Sequence, residues 1–277
     1  MFRNMLVHLP TERPVRPVID VAIGLALARR SHLDAVAIGY ESIGAVGMVM
    51  EGGGAAVVAA ANFEAERAQQ RADAAIAVFE AEARLAQIEY GTRTLVAIPA
   101  DADQDMSVLS RLYDTTIVLQ PEAGHGGYDN SIPQGVLFNS GGPMLMVPHT
   151  HKGPLKAHHV GIAWDGSRLA ARAVRDAMPF LMGAKAVTVI AVNEDARAAS
   201  SNDLVRHLGR RGIAARPQRV TVDRGNIQGA ILSIAAESGI GLLAMGGFGH
   251  SRLEERILGG VTRDTFASMT VPVLMSH

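Results

Sequence analysis

The sequence runs twice through one order of segments. NMLVHLP, from Asn4, and HHVGIAWDG, from His158, open the two runs, and GGPMLMVP and MTVPVLMSH, with Pro143 and Pro272, close them. Between these anchors both halves read strand–helix–strand, a helix, strand–helix–strand, a glycine-rich stretch and a last strand. A fixed order that is repeated once predicts two homologous domains rather than one large domain.

We place the domains and their linker at 1–148, 149–157 and 158–277. The first half is the longer one, and its excess is an insertion near 41–66 that has no counterpart in the second half. Residues 41–61 of this insertion are apolar and rich in glycine and alanine, with two methionines. Three interpretations stay open: a mobile loop partly packed on the sheet, a lid over a small apolar pocket, or a contact surface for a partner.

The local patterns predict an α/β fold. Residues 186–192 and 241–247 are apolar runs bounded by turn residues, as expected for strands buried on both faces of a sheet. The helical patterns lie at 62–88, at 170–181 with Ser167 as N-cap, and from Asn226 to Gly239. Strands that alternate with helices imply parallel sheets with right-handed crossovers.

Composition narrows the classes of partner. The 277 residues are 48% hydrophobic and 19% charged, with a net charge of −1, so no overall field attracts nucleic acid or anionic lipid. There is no cysteine, which excludes disulfides and thiolate chemistry. No apolar run reaches the ~18 residues of a membrane span, and the chain meets Pro10 too soon for a signal peptide. We therefore expect a soluble cytoplasmic protein that binds neither nucleic acid nor membrane.

The segment MGGFGHSRLEERILGGVT, residues 245–262, places glycines on both sides of a short helical pattern. Ligands of parallel sheets bind beyond the carboxyl ends of the strands, where the strand order reverses. A glycine turn and a helix N-terminus there present backbone N–H groups to phosphate. His250 and Arg252 add charged donors, and Asp165, across the same crevice, suits a ribose hydroxyl or a base amine.

Each of these features has a second interpretation. Many glycine turns between a strand and a helix bind nothing, and Asp165-Gly166-Ser167 reads equally well as a turn followed by an N-cap. Arg252 and its neighbouring arginines also fit a solvated helix face with Glu254 and Glu255. The P-loop pattern and the G-x-G-x-x-G pattern of dinucleotide folds are both absent.

Gly246-x2-Gly249, nine residues, then Gly259 resembles the G-x2-G-x9-G-[ST] signature of universal stress proteins. GIAWDGS resembles that family's first strand and aspartate, and VPVLMSH its closing strand. The resemblance covers 158–277, whereas 1–148 is similar in layout only and would be a degenerate domain. It implies two tandem doubly wound five-stranded parallel-sheet domains with strand order 3-2-1-4-5, similar to the adenine-nucleotide α-hydrolase group, and ATP as ligand.

The resemblance also implies roles for individual residues. Asp165 would meet the adenosine with Ala163 and Trp164 beside it, Val192 would touch the adenine, and Met245 and Gly246 would line the ribose. The phosphates would be surrounded by Gly249, His250, Gly259, Gly260, Val261 and Thr262.

Two departures from the family pattern stand out. Gly260 replaces the usual Ser or Thr. The missing hydroxyl removes a hydrogen bond to a charged phosphate that is worth ~1.5–3 kcal/mol, and the hydroxyl of Thr262 is a partial substitute. The first half has Pro10 or Thr11 where the aspartate belongs, and Asn130-Ser131 stands opposite Gly259-Gly260. We therefore expect no ATP in the first half.

We interpret the chain as a stress-response protein that binds ATP, with or without Mg²⁺, and acts as a sensor or signalling module. No catalytic constellation is visible, so we expect slow ATP hydrolysis at most. The closing strands would join the halves as an intramolecular pseudo-dimer, with a further homodimer and a protein partner of unknown identity as additional expectations. A scaffold without nucleotide and an enzyme that transfers AMP stay open, as does a metal on the linker histidines at 149, 151, 158 and 159.

Overall fold

The computed structural model describes residues 2–41, 54–122, 124, 126–247 and 268–277. The strands are β1 (Asn4–Leu9), β2 (His32–Tyr40), β3 (Tyr90–Ala97), β4 (Thr115–Leu119), β5 (Met144–Val147), β6 (His159–Ala163), β7 (Ala186–Val192), β8 (Ala215–Val220), β9 (Leu242–Gly246) and β10 (Val273–Ser276). The α-helices are α1 (Arg16–Arg29), α2 (Ala55–Ala86), α3 (Pro99–Ser110), α4 (Ile132–Asn139), α5 (Arg168–Asp176), α6 (Met178–Leu181), α7 (Ser201–Gly209) and α8 (Ile227–Glu237).

The strands form one ten-stranded sheet in the order β3-β2-β1-β4-β5-β10-β9-β6-β7-β8. Each half has the order 3-2-1-4-5 with parallel neighbours, which confirms the predicted fold class. The halves meet at β5 and β10, which pair antiparallel with Leu274 opposite Leu145. The strands of the two halves therefore run in opposite directions, and their carboxyl ends lie at opposite edges of the sheet.

Two layers of helices cover the faces of the sheet, and the strands at its two edges, β3 and β8, stay partly exposed. One apolar layer contains side chains of α1, α2, α5, α6 and α7, with Phe79 and Phe180 as its largest buried members. The other contains side chains of α3, α4 and α8, including Met106 and Ile132. Strands buried on both faces are mostly apolar, and every residue of β4 and β5 is buried, including Thr115 and Thr116 at the start of β4.

The long helix of the first half begins earlier than predicted. The pattern predicts 62–88, whereas α2 runs from Ala55 to Ala86, after Gly54 in an extended conformation. The reason is the sequence AAVVAAAN, in which alanine favours helix strongly enough to include the end of the insertion. A loop over the whole of 41–61 is therefore wrong for 55–61, and residues 42–53 lie outside the described part of the chain.

Two further boundaries test the helix predictions in the second half. Ser167 caps α5 as predicted, since its hydroxyl accepts from the Ala170 N–H at 3.1 Å. The single helix predicted for 170–181 is wrong, because α5 ends at Asp176 and α6 begins at Met178 with Pro179 in its first turn. Proline has no N–H to continue the helical ladder. Gly239, at φ +65°, ends α8 as predicted, whereas Asn226 makes no side-chain cap bond.

Among the helices that the structure describes, none combines the length and the apolar character that a membrane crossing requires.

Candidate functional site

The strand order of the second half reverses between β6 and β9, and five predicted site residues meet at this edge. Ala163, which ends β6, lies opposite Met245 of β9. On its other side the Trp164 N–H donates to Ile190 of β7 at 2.8 Å. β7 ends two residues later, at Val192, and β9 ends at Gly246. This is the place at which doubly wound sheets bind ligands.

Asp165 follows β6 and has an exposed side chain. Its Oδ1 accepts from the Ser167 N–H at 2.9 Å, which closes a short turn. Gly166 has φ +73°, and a Cβ there would lie 2.9 Å from the Ala199 carbonyl oxygen, so glycine is required. The turn-and-cap interpretation is thus realised, and it leaves the carboxylate exposed at the carboxyl edge.

Trp164 takes part in the edge only through its backbone. Its side chain is buried in the layer that contains α5 and α7, and its indole Nε1–H donates to the Ala199 carbonyl at 2.8 Å. Because Trp164 is the single tryptophan of the sequence, its fluorescence reports changes in the structure beneath the crevice.

The first glycines of the motif have packing partners. A Cβ at Gly246 would lie 2.7 Å from the backbone nitrogen of Ala170, in the first turn of α5. A Cβ at Gly247 would lie 3.2 Å from both methyl groups of Leu137, on α4 of the first half. The absent side chains therefore allow two helices to approach the end of β9.

The predicted phosphate-binding residues cannot be compared with the structure. Gly249, His250, Arg252, Gly259, Gly260, Val261 and Thr262 lie outside the described residues. Their roles stay predictions from the motif.

Sequence reasoning missed Asn193, which shapes the side of the crevice next to Val192. Asn193 has φ +52°, a conformation that Asn tolerates better than most residues. Its side-chain amide donates to the Val222 carbonyl at 2.8 Å and accepts from the Val222 N–H at 2.9 Å. It thereby joins the ends of β7 and β8, and an Asn directly after an apolar run was the available signal.

The corresponding edge of the first half holds a buried polar cluster, which sequence reasoning also missed. Asp129 lies on a 3₁₀ turn, Tyr128–Ser131, next to the Asn130-Ser131 pair. Its Oδ2 accepts from the N–H groups of Thr11 and Glu12, both at 3.0 Å. Its Oδ1 accepts from the Tyr40 hydroxyl at 2.9 Å.

Two basic side chains are buried in the same cluster. Burial and the charge of Arg13 lower the pKa of His8 to about 3, so His8 is neutral near pH 7 and its 3.7 Å approach to Asp129 is not an ion pair. Burial also lowers the pKa of Arg13, while the charge of Asp129 acts in the opposite direction. Burial raises the pKa of Asp129, and its hydrogen bonds to Glu12 and Tyr40 oppose that shift.

The linker histidines do not form a cluster of ligands. His159 has Nδ1 3.1 Å from the Ser238 carbonyl oxygen and Nε2 2.9 Å from the Thr188 hydroxyl. Burial lowers the pKa of His151. Within the described ranges, no group of three or more His, Asp or Glu side chains is arranged to hold a metal ion.

The model of the universal stress protein family matches residues 156–277. The second half of the chain is therefore similar to universal stress proteins. The family supports a role in the stress response for this chain.

Solved structures resemble the whole chain. A universal stress protein from Archaeoglobus fulgidus DSM 4304 is 17% identical, with a TM-score of 0.64 over 98% of this chain and 95% of its own. A protein of Pseudomonas aeruginosa UCBPP-PA14 assigned to the same family is 12% identical, with a TM-score of 0.61 over 99% and 93%. At these identities the likeness shows a shared fold across both halves. Comparison with curated protein sequences gives no match.

Proposed function

We propose that the second half binds ATP, and that the chain acts as a nucleotide-dependent sensor or binding module in the stress response. The observation that carries this proposal is the exposed Asp165 carboxylate beside Ala163, Val192 and Met245 at the reversal of strand order. A carboxylate at that edge accepts hydrogen bonds from a ribose hydroxyl or a base amine.

The phosphates and any accompanying Mg²⁺ would lie toward the residues that follow Gly247. The motif supports this part of the proposal, since backbone N–H groups of Gly249, Gly259 and Gly260 suit phosphate oxygens. Gly260 lacks the hydroxyl of the family signature, so we expect weaker binding than a Ser or Thr would give. We also expect slow hydrolysis at most.

The test is mass spectrometry of nucleotides released by denaturing the freshly purified protein. We expect one ATP per chain in the wild type and none in Asp165→Ala. Asp165→Asn keeps the acceptor for the Ser167 N–H and therefore the turn. Loss of ATP in both variants indicates direct contact of the carboxylate with the ligand, whereas loss only in Asp165→Ala indicates that the turn is what matters.

Glu237→Ala is the matched control, because Glu237 is an exposed carboxylate at the end of α8, near the opposite edge of this half. It should retain ATP. A nucleotide-free wild type, together with no change in Tm in millimolar ATP–Mg²⁺, would sink the proposal.

A second candidate function is a scaffold without nucleotide that binds protein or a small ligand. The observation that favours it is that the packing of α5 already requires Gly246, while Gly247 is in close contact with Leu137 of α4. The nucleotide-free outcome above would support it.

We further propose that the pairing of β5 with β10 makes each chain its own pseudo-dimer, and that two chains associate as a homodimer in the cytoplasm. Light scattering measures this directly. A mass of 29.2 kDa would contradict the homodimer, and twice that mass is expected.

A further inference from the structure

The ligand edge of the first half is filled by side chains of the chain itself. The N–H groups of Thr11 and Glu12 follow β1 as those of Asp165 and Gly166 follow β6. In the first half both N–H groups donate to Asp129 Oδ2, at 3.0 Å each. A carboxylate therefore occupies backbone donors that face the ligand crevice in a doubly wound sheet.

An aromatic ring fills the neighbouring position. Tyr40 ends β2 opposite Ala97, as Val192 ends β7 opposite Val220. Its hydroxyl donates to Asp129 Oδ1, and its ring lies 5.4 Å from the ring of Tyr128. Tyr40 at the end of β2 and Asp129 after β4 therefore meet across the carboxyl end of β1.

Arg13 is a buried cation of the same cluster, and its charge acts on Asp129. Its side chain is 7% exposed, and Nη1 donates to the Gln120 carbonyl at 2.7 Å. Its Nε and Nη2 atoms are buried without a hydrogen-bond partner among the described residues. The Nε–Nη2 edge of arginine is a side-on donor pair for carboxylate and phosphate.

We propose that the first half retains an oxyanion site and that Asp129 is its built-in occupant. The carboxylate takes the place of a diffusible anion, so this half is held closed without a ligand. The inference is independent of ATP binding by the second half.

Removal of the occupant tests this proposal by chemical rescue. Asp129→Ala leaves the two N–H groups and Arg13 in place, and we expect Tm to fall by about 5 °C or more. Sodium formate at about 50 mM, compared with sodium chloride at the same ionic strength, should restore a third or more of that loss, because formate binds the folded state alone. Rescue should disappear in Asp129→Ala/Arg13→Met.

Asp114→Ala is the matched control. Asp114 Oδ2 also accepts from two backbone N–H groups, those of Arg3 at 2.6 Å and Asn4 at 3.0 Å, but its side chain is exposed. Formate should not raise the Tm of this variant. An equal formate effect in both variants, or none in either, overturns the proposal.

Asp129→Asn covers the case in which Asp129→Ala does not fold in any buffer. Asn keeps the volume of the Asp side chain but carries no charge. The Tm of Asp129→Asn therefore has to fall further than that of Asp114→Asn. An equal or smaller fall contradicts a buried anion site.

Discussion

Gly246 lies where a side chain would collide with the backbone of a neighbouring helix. A Cβ there would lie 2.7 Å from backbone atoms of Leu169 and Ala170. Because the neighbours are backbone atoms at the start of α5, they cannot turn aside as a flexible side chain would. The glycine is thus explained by helix packing before any ligand is considered.

We expect Gly246→Ala to lower the free energy of unfolding by about 1–3 kcal/mol through overpacking. Gly209→Ala is the control, since a Cβ at the end of α7 meets no atom within 4 Å. That variant should keep or slightly raise its stability, because alanine favours helix over glycine. Urea unfolding measures both, and equal midpoints would contradict the packing argument.

His8 makes stability depend on pH. Its pKa is about 3 in the folded protein and 6.5 when unfolded, so between these values only the unfolded chain takes up the proton. The neutral His8 therefore costs the folded protein no stability above pH 6.5. The free energy of unfolding then falls as the pH drops from 6.5 toward 3. We expect His8→Asn to lose less stability than the wild type between pH 7 and pH 4.

The test compares how the free energy of unfolding depends on pH in His8→Asn and in the wild type. The raised pKa of the buried Asp129 acts in the opposite direction, because protonation relieves its burial. His207→Asn, at an exposed position of α7, is the control and should follow the wild-type pH curve. A His8→Asn curve parallel to the wild type would show that His8 does not stay neutral in the fold.

At the scale of elements, the 32-residue helix α2 packs over β2 and β3 of the first half. Phe79 on this helix is 0% exposed and meets the Tyr90 ring edge-on at 5.7 Å. Phe79→Ala should therefore cost about 3–5 kcal/mol. Leu85→Ala on the same helix, at an 80% exposed position, should change stability by no more than about 0.5 kcal/mol. Thermal unfolding by circular dichroism compares the two, and similar Tm values would show that α2 is not packed on the sheet.

The predictable elements are those whose pattern is local. β7 and β9 are continuous apolar runs, and Ser167 precedes an apolar helical stripe, so period and cap chemistry suffice for them. The start of α2 at Ala55 was missed because an alanine run carries no periodic signal.

The polar cluster of the first half could not be predicted, because its members come from separate parts of the chain. Asp129 and Thr11 are 118 positions apart and meet only through the strand order. At the candidate site, the edge formed by Ala163, Asp165 and Val192 was predictable from the resemblance. The packing of Gly247 on Leu137 was not, since it joins the two halves.

At the scale of the whole molecule, the junction of β5 and β10 is short and fully buried. Leu274 and Leu145 face each other across it, both 0% exposed. We expect Leu274→Ala to cost about 2–5 kcal/mol and to separate the unfolding of the two halves. Trp164, the only tryptophan, reports the second half by fluorescence, while circular dichroism reports both.

The wild type should give coincident transitions by the two probes. Met182→Ala, at a 75% exposed position, should keep them coincident. Transitions that stay coincident and unshifted in Leu274→Ala would show that the junction does not hold the halves together.

The eight-residue helix α4 belongs to both halves of the sheet. It is about 12 Å long and starts three residues after Asp129. Near its other end, Leu137 packs against Gly247, and the Phe138 ring lies 4.8 Å from the His277 ring. Helices move as rigid bodies, so a displacement at the end of β9 displaces the whole of α4. If the proposed nucleotide site of the second half displaces the end of β9 when it is filled, we expect the Asp129 edge of the first half to respond through α4.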